Sequence, residues 1–167
     1  MSQTKGTYAL LLQLEEPREI TVGRLGRFVF PAGYYLYVGS ALGPGGLEAR
    51  LARHLARSHT SQIPLQLERR DRGVRPGDLR GKKRLRWHID YLLECARLIE
   101  VWSVPSGERL ECLWARAARE LPGAQIPVPG FGASDCRCPA HLVHFATRPS
   151  LAPLRQPPPR LEWSDRL

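Results

Sequence analysis

Apolar side chains fall along this chain in two rhythms, and each rhythm predicts a different kind of element. From Thr7 to Leu14 they run almost unbroken until the charged Glu15-Glu16-Pro17 break, a stretch suited to one buried strand. Ile20–Val22 and Arg27–Phe30 are shorter strand pieces punctuated by Gly23 and Gly26. Pro31-Ala32-Gly33 then turns the chain into a further strand, Tyr34–Gly39. Past the Gly43-Pro44-Gly45-Gly46 loop the rhythm changes. Leu47, Leu51 and Leu55 recur every fourth residue, which predicts one apolar helix face through about Arg57. Ile89, Leu92, Leu93 and Ala96 predict a second helix over Trp87–Leu98, followed by a strand over Leu98–Val104. A third helix is expected over Glu108–Leu121, after the Pro105-Ser106-Gly107 turn, and a last strand over Leu142–Ala146. The expected fold is α/β, a small central antiparallel or mixed sheet flanked by helices, in one domain over residues 1–147.

Two segments stand outside these rhythms. Residues 58–86 scatter Gly, Pro and Arg with little periodicity and read as a basic loop. Residues 148–167 hold five prolines and are predicted to remain an unpacked, disordered tail. Composition adds little to the fold. With 167 residues and 43% hydrophobic content, the chain can build a core and is not disordered throughout. No apolar run approaches the roughly 20 residues of a membrane span. The start, Met1-Ser-Gln-Thr-Lys, has no apolar signal core, so a cytoplasmic protein with reduced thiols is expected.

Charge narrows the partner more than the fold. The formal net charge is +9, and residues 50–86 hold the whole excess, twelve Lys or Arg against three acids. Such concentration suits a polyanion, most often nucleic acid. The alternative is a solvated loop in an Arg-biased sequence, since all but three of the 25 basic residues are Arg and Asn is absent.

The residues with chemistry follow an order. Gly6-Thr7-Tyr8 opens the first strand, Tyr37-Val38-Gly39-Ser40-Ala41 closes a later one, and Arg50-Leu-Ala-Arg53-His54 lies on the helix after the glycine loop. This ordered set resembles the GIY-YIG endonuclease superfamily. The Trp87–Leu93 stretch and the Gly130–Cys138 ending resemble more closely its compact branch, sometimes labelled Uri-type. The resemblance covers about residues 4–147 and implies a metal-dependent hydrolase of nucleic-acid phosphodiester bonds. No separate DNA-reading domain is recognisable, so structure-specific rather than sequence-specific action is expected. The alternatives are a nucleic-acid-binding protein that keeps the scaffold without cutting, or a zinc-stabilised interaction module.

The resemblance implies roles that the residue types can fill. Tyr8 would be general base or water-orienter and Tyr37 its hydrogen-bonding support, with Gly6, Gly39 and Ser40 shaping the backbone. Lowering a phenol from a pKa near 10 toward 7 requires roughly 4 kcal/mol of phenolate stabilisation. Apart from the pattern, both tyrosines would be ordinary strand aromatics. Arg50 and His54, one helical turn apart, can converge on one phosphate. Arg53, Arg57, Lys82, Lys83, Arg84 and Arg86 are expected to bind backbone phosphates. A single glutamate on a later helix would hold Mg²⁺ or Mn²⁺. Among Glu108, Glu111 and Glu120, Glu111 is best placed, with Ala115 and Ala118 on its face. Asp90 is a possible site-edge residue, with His88 structural. Cys136, Cys138, His141 and His144 have ligand chemistry. Zinc is not expected there, because Cys-x-Cys is tight for a zinc knuckle and no second cysteine pair follows.

Overall fold

The computed structural model describes residues 3–58, 85 and 87–155. Its centre is a four-stranded antiparallel sheet of β1 (Gly6–Leu14), β4 (Gly33–Ala41), β5 (Arg97–Pro105) and β6 (Leu142–Phe145), in the order β5-β1-β4-β6. A separate hairpin pairs β2 (Arg18–Val22) with β3 (Gly26–Phe30). The expected α/β architecture is the one observed.

β1 is apolar at nearly every position because both faces of the sheet are covered. Side chains alternate across a strand, and Tyr8, Leu10, Leu12 and Leu14 enter one core while Ala9 and Leu11 enter another. The first core takes in Leu47 of α1 (Gly46–Arg57), Ile89, Leu92 and Leu93 of α2 (His88–Leu93), and Ile20, Val22 and Phe30 of the hairpin. The second is closed by Trp114, Ala115 and Ala118 of α3 (Glu111–Arg119), with Trp102 of β5 stacked on Trp114.

Three boundaries differ from the sequence expectation. α2 stops at Leu93, because Arg97 already belongs to β5. α3 begins at Glu111 rather than Glu108, whose N–H is taken by the Ser106 hydroxyl at 3.0 Å in the preceding turn. The chain also stays packed beyond residue 147. Leu151 and Leu154 are buried in the second core around the short α4 (Ala152–Arg155), so two leucines outweigh the neighbouring prolines. Proline in the first turn of a helix forfeits no hydrogen bond. Residues 59–84, nearly all of the expected basic loop, and residues 156–167 lie outside the described residues. No helix among the described residues is long and apolar enough to cross a membrane.

Candidate active site and metal-binding cluster

Antiparallel pairing sets Tyr8, near the start of β1, opposite Gly39, near the end of β4. The ring of Tyr37 lies 6.4 Å from that of Tyr8. Gly39 is required by this packing, since a Cβ there would stand 2.5 Å from the Tyr8 hydroxyl. Gly6 is enclosed in the same way by the Val104 carbonyl and the Leu47 side chain. Both glycines therefore mark close approach.

α1 brings His54 behind Tyr8, with Nε2 2.8 Å from the phenol oxygen. The imidazole is 1% exposed. Burial, reinforced by Arg50, Arg53 and Arg57 and opposed by Asp90, lowers its pKa to about 4. Burial and the neighbouring Tyr37 hold the Tyr8 phenol well above its ordinary value, with Arg50 pulling the other way. Burial raises Tyr37 as well. At neutral pH the three rings are therefore uncharged, and with Nε2 as acceptor Tyr8 donates to His54.

The three arginines of α1 separate. Arg50 and Arg53 lay their guanidinium groups over the Trp87 ring, 4.0 and 3.9 Å from its centre. Arg53 also pairs with fully buried Asp90 at 3.1 Å, and Arg57 stands 3.8 Å from the same carboxylate. Asp90 in turn accepts the Trp87 backbone N–H at 3.0 Å at the start of α2. Arg53 and Arg57 thus serve the fold around Asp90, where phosphate contacts were expected. Asp90 is interior rather than at the site edge. His88 is structural, accepting the Gly132 N–H at 2.9 Å. Of these arginines, only Arg50 lines the cleft.

Glu111 completes that cleft from the first position of α3. One carboxylate oxygen accepts from Arg109 at 2.9 Å, and Arg109 also reaches Asp135 at 2.8 Å. The other oxygen is buried without a hydrogen-bond partner among the described residues. The cleft has a volume of about 120 Å³ and gathers Tyr8, Tyr37, Gly39, Ser40, Arg50 and Glu111 with Trp87, Gly132, Asp135 and His141. An unpartnered buried carboxylate oxygen at such a cleft fits a hard cation. His54 and Gly6 stand behind the lining, and Lys82, Lys83, Arg84 and Arg86 fall outside the described residues. Sequence reasoning missed Arg109 as the clamp on Glu111 and Trp87 as the platform for Arg50. Trp87 lies more than thirty residues from these arginines along the chain, so no local spacing signals the contact.

The cysteines correct the expectation about zinc. Cys112, Cys136, Cys138 and His141 place one ligand atom each within 4.8 Å of all the others. The third thiol comes from α3, far from the Cys-x-Cys pair in sequence, so no local spacing motif announces it. His144 is not part of the set; its Nε2 lies 3.0 Å from the Ala32 carbonyl. Three thiols and an imidazole form a recognised structural zinc donor set.

A family model described as a domain of unknown function, DUF123, matches residues 7–156. The chain belongs to DUF123. No curated protein and no solved structure matches it. The DUF123 match spans both the cleft and the cysteine cluster, and it runs past residue 147 to include the packed turn at Leu151 and Leu154.

Proposed function

We propose that this DUF123 protein is a metal-dependent endonuclease of the GIY-YIG type. Its substrate is nucleic acid, DNA in preference to RNA, selected by structure rather than sequence. The observation that carries the reading is the convergence of Tyr8, Tyr37, Arg50 and Glu111 on one cleft, with His54 bonded behind Tyr8. At about 120 Å³ the cleft is smaller than the roughly 300–1,000 Å³ of sites that enclose small molecules. It suits a single reacting group presented by a polymer, such as a backbone phosphate.

In this reading water attacks phosphorus from the Tyr8 side. Tyr8 is too weak an acid to stand as phenolate, and it relays instead. It accepts a hydrogen bond from the water while its own hydrogen goes to His54 Nε2. As the new O–P bond forms, the water proton moves to Tyr8 and the Tyr8 proton to His54. The bond to the 3′ oxygen breaks, that oxygen takes a proton from solvent, and His54 later returns its own. Arg50 meets the charge growing on the non-bridging oxygens. A divalent cation on the free Glu111 oxygen would supply further charge neutralisation.

The test is nicking of branched, flapped and plain duplex DNA, with a matched RNA, with and without divalent cation. The reading expects cation-dependent nicking that is strongest on the branched or flapped DNA. Binding without cleavage in every arm would favour the scaffold-only reading, which the deep burial of Tyr8 supports.

A further inference from the structure

We propose that Cys112, Cys136, Cys138 and His141 hold one structural zinc ion, which fastens α3 to the loop between residues 130 and 141. The separations fit. A tetrahedral zinc with Zn–S near 2.3 Å and Zn–N near 2.0 Å sets its S and N ligands about 3.5 Å apart. His141 Nε2 lies 3.4 Å from Cys136 Sγ and 3.8 Å from Cys112 Sγ. The donors are soft sulfur with one imidazole, a set that favours zinc over a hard cation. All four cysteines are free thiols, and Cys95 stands outside the cluster.

The surroundings are built for such an ion. Three thiolates and Zn²⁺ leave one negative charge, and Arg119, anchored on the Ala140 carbonyl at 2.9 Å, sets a cation beside it. The His141 backbone is fixed on both sides, its N–H to Phe131 O at 2.7 Å and its carbonyl to Val38 N–H at 3.0 Å. The cluster therefore rests on β4 at the residue after Tyr37, while Cys112 follows Glu111 directly on α3. Metal here joins the helix to the loop through bonds far stronger than the thiol–imidazole contacts within the cluster, adding to the Arg119–Ala140 hydrogen bond.

The experiment uses tag-free full-length protein purified without chelator. Elemental analysis after gel filtration is expected to give one zinc per chain. Replacement by Co²⁺ is expected to give the intense bands of a tetrahedral thiolate site. In the metal-loaded protein, three thiols should react with a disulfide reagent about tenfold more slowly than after chelation. Cys95 should react equally in both forms. Cys112→Ser and Cys138→Ser should each lose the metal. Should they fail to fold, the cobalt spectrum and thiol protection of the parent decide. Absence of zinc together with no cobalt spectrum, iron in place of zinc, or a disulfide within the cluster would each overturn the proposal. No arm reads cleavage, so this site and the endonuclease reading stand or fall separately.

Discussion

Two neighbouring residues at the start of α3 serve two different chemistries. Glu111 gives an oxygen to a cleft of phenols and guanidinium, and Cys112 gives a sulfur to a cluster of thiols and imidazole. On the proposed reading the cleft is a place for charge that develops and disperses, built from uncharged phenol rings around Arg50, Glu111 and Asp135. With the proposed zinc bound, the cluster is a place for charge that stays. The difference teaches that the second region can position the first: one peptide separates the two side chains, so whatever anchors Cys112 also fixes where Glu111 enters the cleft.

The largest effect is expected at Tyr8. Tyr8→Phe removes the relay oxygen but keeps the ring, and it should lower cleavage by about 10²–10⁴-fold while DNA affinity stays within about twofold. Single-turnover nicking beside a binding titration checks this; equal rates would remove Tyr8 from the chemistry.

A change confined to the fold should behave otherwise. Asp90→Asn leaves the Arg53 and Arg57 guanidinium groups around a buried site without its anion. Removing one partner of a buried pair typically costs about 3–5 kcal/mol. Urea unfolding should report a loss near the lower figure, since Arg53 is partly exposed. A loss under about 1 kcal/mol would return Arg53 and Arg57 to the list of phosphate ligands.

The buried imidazole predicts a pH dependence of known sign. His54 titrates near 6.5 when unfolded and about 4 when folded, so the unfolded chain binds more protons between those values. Stability should be full above about pH 6.5, fall as pH drops toward 4, and change no further from this group below that, an effect of about 3 kcal/mol. Burial lowers His88 and His141 in the same direction. Subtracting the profile of His54→Gln therefore isolates one imidazole. Parallel profiles would mean that His54 is charged or exposed in the fold.

The smallest effect expected is on binding. Neutralising Lys82, Lys83, Arg84 and Arg86 should reduce the slope of log K on log salt by about 0.9 for each lost duplex phosphate contact. An unchanged slope would assign these cations to solvent.

The sheet and α1 were legible because their signals are local. Alternating burial on two faces makes β1 read as an apolar run, and a leucine at every fourth position marks the core-facing side of α1. Tyr8, Tyr37, Gly39, Ser40, Arg50 and Glu111 of the cleft were legible through the resemblance that the ordered triplets carry. Their roles were not. Arg50, Arg53 and Arg57 look alike in sequence, and only the buried carboxylate of Asp90, 37 residues from Arg53 along the chain, separates two of them from the cleft. The cysteine cluster was illegible for the same reason, because Cys112 meets Cys136 and Cys138 only once α3 has packed. Leu151 and Leu154 were hidden by the prolines around them, although their burial depends only on the apolar face they find.

The central claim is that the cleft cuts phosphodiester bonds and that the Glu111 carboxylate supplies charge the reaction requires. Glu111→Gln keeps the shape and one acceptor oxygen but removes the anion, and it is compared with the parent on flapped DNA across a divalent-cation titration. The account predicts that nicking collapses by about 10²-fold or more while DNA binding persists or tightens slightly. A Glu111→Gln protein that nicks as fast as the parent would contradict it.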